Sequence, residues 1–303
     1  MDDEAYDSAP LPILEPNFMY HDGTKYDFLI VTALEEEFDA VRSAYKNEPV
    51  NPIKLPFPGR VVEIRHRHKS GEIVFGLLAS PFSIGAVDSA IITSHLLSKY
   101  KFRIATLTGI LAAIKSEKSN TKPFLGDVIF ADMIFDLNIV RTYDSNSVQY
   151  EVRHELSVSK LRSFATSQTL NYKLEKFIKT KHFDGDYLDN LKYLYDYARK
   201  PTIFRGSTIS ANAVVGSEQD VERIMNHISH LTQSSPPIAI EMEGFGVARA
   251  IDFISPNTEF FMCKAVNDYA DSSKSSDENH IRRIACQNAA LAAKSFIDYT
   301  YSH

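Results

Sequence analysis

The sequence predicts an α/β fold: a single three-layer domain with a mixed, mostly central β-sheet flanked by helices, plus a helical insertion. Short apolar runs alternate with helix-period segments through most of the chain, the pattern of a sheet covered by helices. At 303 residues and 44% hydrophobic content, the chain can bury a large core. No internal repeat or low-complexity block divides it, which favours one domain over 25–303 behind an N-terminal arm.

That arm, 1–24, carries three prolines and several acids without helical or strand period, and reads as flexible or draped. The fold opens with the apolar run Asp27 to Ala33 as a strand, then Leu34 to Tyr45 as a helix with an acidic start. After the Pro-rich passage Pro49 to Pro58, Arg60 to His66 and Glu72 to Ala79 read as a hairpin turning at Lys69-Ser70-Gly71. Helical spacing returns over Ile84 to Lys99, followed by strands Arg103 to Thr108 and Gly126 to Ala131. The stretch 141–200 is rich in Tyr, Lys and Asp and reads as a surface insertion with helices at Ser157 to Lys179 and Asp186 to Lys200. A strand at Pro201 to Ser210 and a helix at Ser217 to Leu231 come next. The strand ending in Glu241 follows Pro236-Pro237, with a helix at Gly244 to Asp252, a strand at Phe260 to Ala265 and a last helix at Glu278 to Tyr299.

A formal charge of -6 argues against a general affinity for nucleic acid, which needs a basic surface to displace counterions. Cys263 and Cys286, the two cysteines, have no metal-type spacing and cannot build a disulfide framework, so a reducing cytoplasm is the natural setting. Met1 to Ala9 is acidic and unlike a secretory signal, and no run of about 18 apolar residues suggests a membrane span.

Chemistry concentrates in Ala239-Ile240-Glu241-Met242-Glu243-Gly244, where two carboxylates stand two residues apart after an apolar run. A period of two predicts both on one face of a strand. The strand Phe260 to Ala265 leads into Val266-Asn267-Asp268-Tyr269-Ala270-Asp271, so acids end neighbouring strands. Together with Thr32-Ala33-Leu34-Glu35-Glu36-Glu37 and Gly126-Asp127-Val128, these segments occur in the order found in the nucleoside phosphorylase and nucleosidase superfamily. From about Tyr26 to Tyr299 the chain resembles its hydrolytic branch, the 5′-methylthioadenosine/S-adenosylhomocysteine nucleosidases.

The resemblance implies a nucleoside phosphorylase-like fold and hydrolysis of the N-glycosidic bond of a purine, above all adenine, nucleoside or nucleotide. Such a reaction passes through an oxocarbenium-like state, so one acid activates water and another neutralises the departing base. By resemblance Glu37 activates the water, Glu243 grips the ribose hydroxyls, Asp268 protonates or hydrogen-bonds purine N7, and Met242 packs on the sugar. Asp268 would need a raised pKa to donate at neutral pH. Ile110 and Val214 fall at substrate-binding positions where the family carries smaller residues and a stacking aromatic, which leaves Phe82, Tyr143 or Tyr269 to meet the base, or Val214 to serve by apolar contact. Glu35 and Glu36 read as solvated charge at a helix start, Glu241 as a positioning or surface residue, and Cys263 as a core thiol.

No organic cofactor is implied, and His66-Arg67-His68, alternating on an exposed hairpin with no Asp or Cys partner nearby in sequence, does not make a metal site. The family often assembles as dimers, which implies a homo-oligomer. Phosphorolysis would require donors converging on phosphate where this chain places three glutamates. Some relatives act on nucleotides, including effectors of bacterial defence systems that destroy adenine nucleotides. For this chain such a role would call on Arg153, Lys160, Arg162, Lys173, Lys176, Lys179, Lys181 or Lys274 to meet a 5′-phosphate. A nucleotide sensor without turnover is the reading from another class.

Overall fold

The computed structural model describes residues 25–45, 51–68, 70–115, 123–137, 140–142, 153–155, 162–179, 201–212, 215–228, 232, 236–271 and 278–302. These form an α/β architecture of a mixed ten-stranded sheet with helices on both faces. In chain order the strands are β1 (Lys25–Val31), β2 (Asn51–Pro52), β3 (Gly59–Arg67), β4 (Ile73–Pro81), β5 (Lys101–Ala113), β6 (Val128–Leu137), β7 (Val140–Thr142), β8 (Arg153–Glu155), β9 (Arg162–Ala165), β10 (Ile203–Ala211), β11 (Pro237–Glu241) and β12 (Glu259–Tyr269). The helices are α1 (Glu35–Ala44), α2 (Ala86–Lys99), α3 (Gln168–Lys179), α4 (Glu218–Ile228), α5 (Gly244–Ile254) and α6 (Glu278–Ser302).

The sheet runs β11-β10-β6-β12-β5-β1-β4-β3-β2, with β9 beside β6, while β7 and β8 pair separately. β11 also pairs antiparallel with β5, so β5, β12, β6, β10 and β11 close into a ring. This closure brings the C-terminal end of β11 against the second half of β5, which is where the acids of interest lie.

β1 shows why the fold has three layers. Phe28 and Ile30 join a core with Phe38 and Val41 of α1, Phe177 of α3 and Phe296 of α6. Leu29 and Val31 face the opposite core with Ile92 and Leu96 of α2 and Val247 and Ile251 of α5. A strand buried on both faces needs an unbroken apolar run rather than alternation, and Phe-Leu-Ile-Val supplies it. Phe296 centres an aromatic cluster, with Phe261 at 4.9 Å, Phe177 at 5.3 Å and Phe130 at 5.4 Å between ring centroids.

Several features differ from the sequence reading, and β6 and β12 run on to Leu137 and Tyr269, past the expected ends at Ala131 and Ala265. The helix expected from Ser157 starts only at Gln168, because Arg162–Ala165 pairs with β6 and extends the sheet. β5 continues past Thr108 to Ala113, since pairing with both β12 and β11 holds the extra residues. The hairpin carrying His66 and His68 is not exposed throughout. His68 is buried, its Nε2 lies 3.0 Å from the Asp298 carbonyl oxygen, and His66 Nε2 lies 3.0 Å from Asp298 Oδ1, so both histidines dock α6. The expected helix Asp186 to Lys200 lies outside the described residues. Among the described residues, no helix is long and apolar enough to cross a membrane.

Candidate active site

Glu37 is the third residue of α1, and its side chain folds back over the start of its own helix. Oε2 accepts the backbone N–H of Ala33 at 2.7 Å and of Leu34 at 2.9 Å, donors that a helix N-terminus leaves unpaired. Oε1 accepts the N–H of Ile110 at 2.8 Å, linking α1 to β5. The preceding residue must be glycine: Gly109 has φ +153°, and a Cβ there would run into the Glu37 carboxylate. Glu35 and Glu36 stay exposed, with Arg60 at 3.0 Å from the first and Arg282 at 3.6 Å from the second. Of the three glutamates only Glu37 is buried.

The Ile-Glu-Met-Glu segment reaches the same region from the other side. β11 ends at Glu241, and Glu243 is not on the strand but at the N-cap of α5, with φ −118° and ψ −26°. The strict alternation expected from sequence therefore stops at Glu241. Glu241 is neither exposed nor peripheral: its Oε2 accepts the N–H of Glu243 at 2.9 Å and of Gly244 at 2.8 Å, capping α5 from within the core. Glu243 accepts the N–H of Gly85, at the start of α2, at 3.1 Å.

Lys264 joins these groups, and the sequence reading missed it. It projects from β12 with 1% side-chain exposure, its Nζ 2.7 Å from Glu243 Oε2 and 3.1 Å from Glu241 Oε2. Burial opposes its charge, but Glu243, then Glu241 and Glu37, more than offset that and hold the ammonium pKa above its ordinary value. The signal was present in Phe-Phe-Met-Cys-Lys-Ala: a lone cation inside an apolar strand has to meet an anion in the core.

Burial raises the pKa of Glu37, Lys264 lowers it, and Glu243 raises it again, with a net upward shift. A carboxylate fixed by three backbone donors and held above its ordinary range takes up a proton more readily than a solvated one. Three buried acids, Glu37, Glu241 and Glu243, thus surround one buried cation.

Asp268 stands further along the same edge. It faces Ala112 on β5, two residues past the Ile110 amide that holds Glu37, roughly 7 Å along the strand. It is half-buried, and Asn267 Nδ2 donates to its Oδ2 at 3.0 Å. Met242 is half-buried between the two glutamates in sequence. The Ile110 side chain packs against the core on the α1 and α6 side. Val214, Tyr143 and Lys274 lie outside the described residues. Phe82 is 81% exposed, and Tyr269 carries Lys115 Nζ 4.2 Å from its ring centroid. Of the cations named in the insertion, Lys176 of α3 lies 4.4 Å over the Tyr172 ring. Among the described residues no group of three or more His, Cys, Asp or Glu is arranged to hold a metal ion.

The sequence matches no protein-family model and no curated protein. The fold, in contrast, matches many solved structures. The chain is similar to the 5′-methylthioadenosine/S-adenosylhomocysteine nucleosidase of Neisseria meningitidis, at 19% identity and a TM-score of 0.63, over 91% of this chain and 99% of that one. It is similar to the corresponding nucleosidase of Helicobacter pylori at 15% identity and a TM-score of 0.65, over 90% and 98%. Futalosine hydrolase of the same organism aligns at 15% identity and a TM-score of 0.64, over 90% and 97%. Across nearly the whole length of these enzymes, the chain shares their fold.

Proposed function

We propose that the chain hydrolyses the N-glycosidic bond of a purine nucleoside or nucleotide, adenine compounds foremost, releasing free base. The observation that carries this is the buried cluster of Glu37, Glu243 and Lys264 at the end of β5, with Asp268 on the adjoining strand. Support comes also from the structural neighbours, one solved with methylthio-immucillin-A and another, from Colwellia psychrerythraea, with adenine.

The roles follow from what each group can do. Glu37, with its raised pKa, takes a proton from water as the oxygen attacks the anomeric carbon. Glu243 offers acceptor oxygens to the ribose hydroxyls, with Lys264 holding its carboxylate in place. Asp268 supplies a proton to the purine as the bond to the sugar breaks, and Met242 packs on the sugar. Three carboxylates against one ammonium leave the cluster anionic, which disfavours phosphate as the nucleophile. The reading needs no cofactor, and the free, buried Cys263 and Cys286 support a cytoplasmic setting, where thiols stay reduced.

Adenosine, methylthioadenosine, AMP and ATP should be incubated with the protein and adenine measured with and without phosphate. Release without phosphate is the expected outcome. Strict dependence on phosphate means phosphorolysis, and tight binding with no release means a sensor; either rejects the hydrolase.

A homo-oligomer is part of the same proposal. α2 and α5 meet at the rim of the site, where a Cβ on Gly246 would collide with the Ala86 backbone. Their outer face exposes Val87 (73%) and Phe253 (78%) beside a groove lined by Ala90, Phe245 and Ala250. Apolar groups of this size beside a groove suit a second copy. Phe253→Asp should convert the assembly to monomer in light scattering; a wild-type protein that is already monomeric rejects this part.

A further inference from the structure

The strand that carries Asp268 is irregular where it reaches the site. β12 pairs residue for residue with β5 up to Val266 opposite Leu111, then skips one residue, so that Asp268 faces Ala112. Asn267 is the extra residue of a β-bulge. In an unbroken strand Asn267 and Asp268 would point to opposite faces. Bulges re-aim side chains, and here the Asn267 amide comes round to donate from Nδ2 to Asp268 Oδ2 at 3.0 Å. Asn267 is 7% exposed, and its Oδ1 is buried with no hydrogen-bond partner among the described residues. A buried unpaired acceptor costs stability, so packing alone does not account for an amide at this position.

We propose that Asn267 is a positioning residue that decides which oxygen of Asp268 delivers the proton to the departing base; this rests on the hydrolase reading above. An N–H and an O–H cannot both point into the gap between Asn267 Nδ2 and Asp268 Oδ2. Oδ2 is therefore the acceptor, and in the protonated acid the hydrogen sits on Oδ1. As the bond between the anomeric carbon and N9 breaks, its electron pair goes to the base and the Oδ1 proton goes to N7. The water oxygen bonds to the anomeric carbon and its proton goes to Glu37. One proton returning from Glu37 to Asp268 through solvent resets the site, and the sum is nucleoside plus water to base plus sugar.

The test compares Asn267→Ala and Asn267→Ser on adenosine and on 4-nitrophenyl riboside, whose nitrophenolate leaves without needing a proton. Asn267→Ala should lower kcat for adenosine by about 100-fold, the scale of general acid catalysis, with KM changed by less than about threefold. The same variant should leave nitrophenyl riboside cleavage within about threefold of wild type, since no proton has to be delivered there. Asn267→Ser, which keeps a donor, should restore at least about tenfold of the lost adenosine rate. Equal losses on both substrates, an unchanged adenosine kcat, or a change confined to KM overturns the inference. If the wild type does not cleave nitrophenyl riboside, the split between kcat and KM and the serine rescue decide it. Base release by the wild type with no such pattern removes only the role of Asn267. Absence of base release from any nucleoside removes the hydrolase reading and this inference with it.

Discussion

Glu37→Gln is expected to lower kcat for base release by about 10³-fold, because an amide cannot take the proton from water. Steady-state kinetics on adenosine checks it, with thermal melting to confirm that the variant folds. The control matters because three backbone N–H groups converge on the carboxylate, and a Gln Nε2 would face a donor where Glu presents an acceptor. A properly folded variant with full turnover would remove Glu37 from the mechanism.

The pH dependence has a definite sign. Burial first, and the Glu243 charge after the opposing effect of Lys264, place the Glu37 pKa above its ordinary value. Activity requires the ionised form, so kcat/KM should rise with pH, and its acid limb should lie above the usual carboxylate range. For stability the sign is reversed. Between the ordinary and raised values the folded chain holds a proton that the unfolded chain has released, so this group's contribution falls as pH rises through that window. In the proposed role Glu37 is a destabilising group at the pH where its ionised form is needed, an expected cost of preorganisation.

Local signals made much of the architecture legible. The apolar Phe28 to Val31 run, the acidic start of α1 and the turn before Glu72 each depend on neighbours in sequence, and each appears in the structure within a few residues of its expected bounds. What depended on pairing was not legible. The extension of β5 requires β11 to close the ring, and the bulge at Asn267 is a slip in register that no local pattern records. Glu243 reads as a strand residue by alternation, yet it sits at the N-cap position of α5, where Glu241 holds the backbone amides of Glu243 and Gly244. Of the two readings open for Glu241 the structure bears out positioning rather than surface, while Lys264 was missed because a cation looks costly to bury alone, and only the fold shows that the two are buried together.

Lys264→Met should be the most damaging single change to stability, because it removes the one cation among three buried carboxylates while keeping the side-chain volume. Breaking a buried ion pair from one side costs about 3–5 kcal/mol, which for a chain of this size lowers the melting midpoint by about 10 °C. Turnover should be lost as well, since Glu243 would no longer be held at 2.7 Å by the ammonium. Sign again separates the causes. The lysine pKa is raised from 10.5, so its stabilising contribution is complete below that value and is lost only as pH climbs through the folded one; the wild type should show no loss from this group near neutrality. The variant should instead gain stability as pH falls, because carboxylates left without a cation accept protons more readily. Adding Glu241→Gln to Lys264→Met should recover part of the loss, a coupling of about 1–3 kcal/mol in a double-mutant cycle of melting data. A Lys264→Met protein that melts with the wild type at every pH would mean that these charges are not paired in the folded chain, and the cluster on which the catalytic reading stands would go with them.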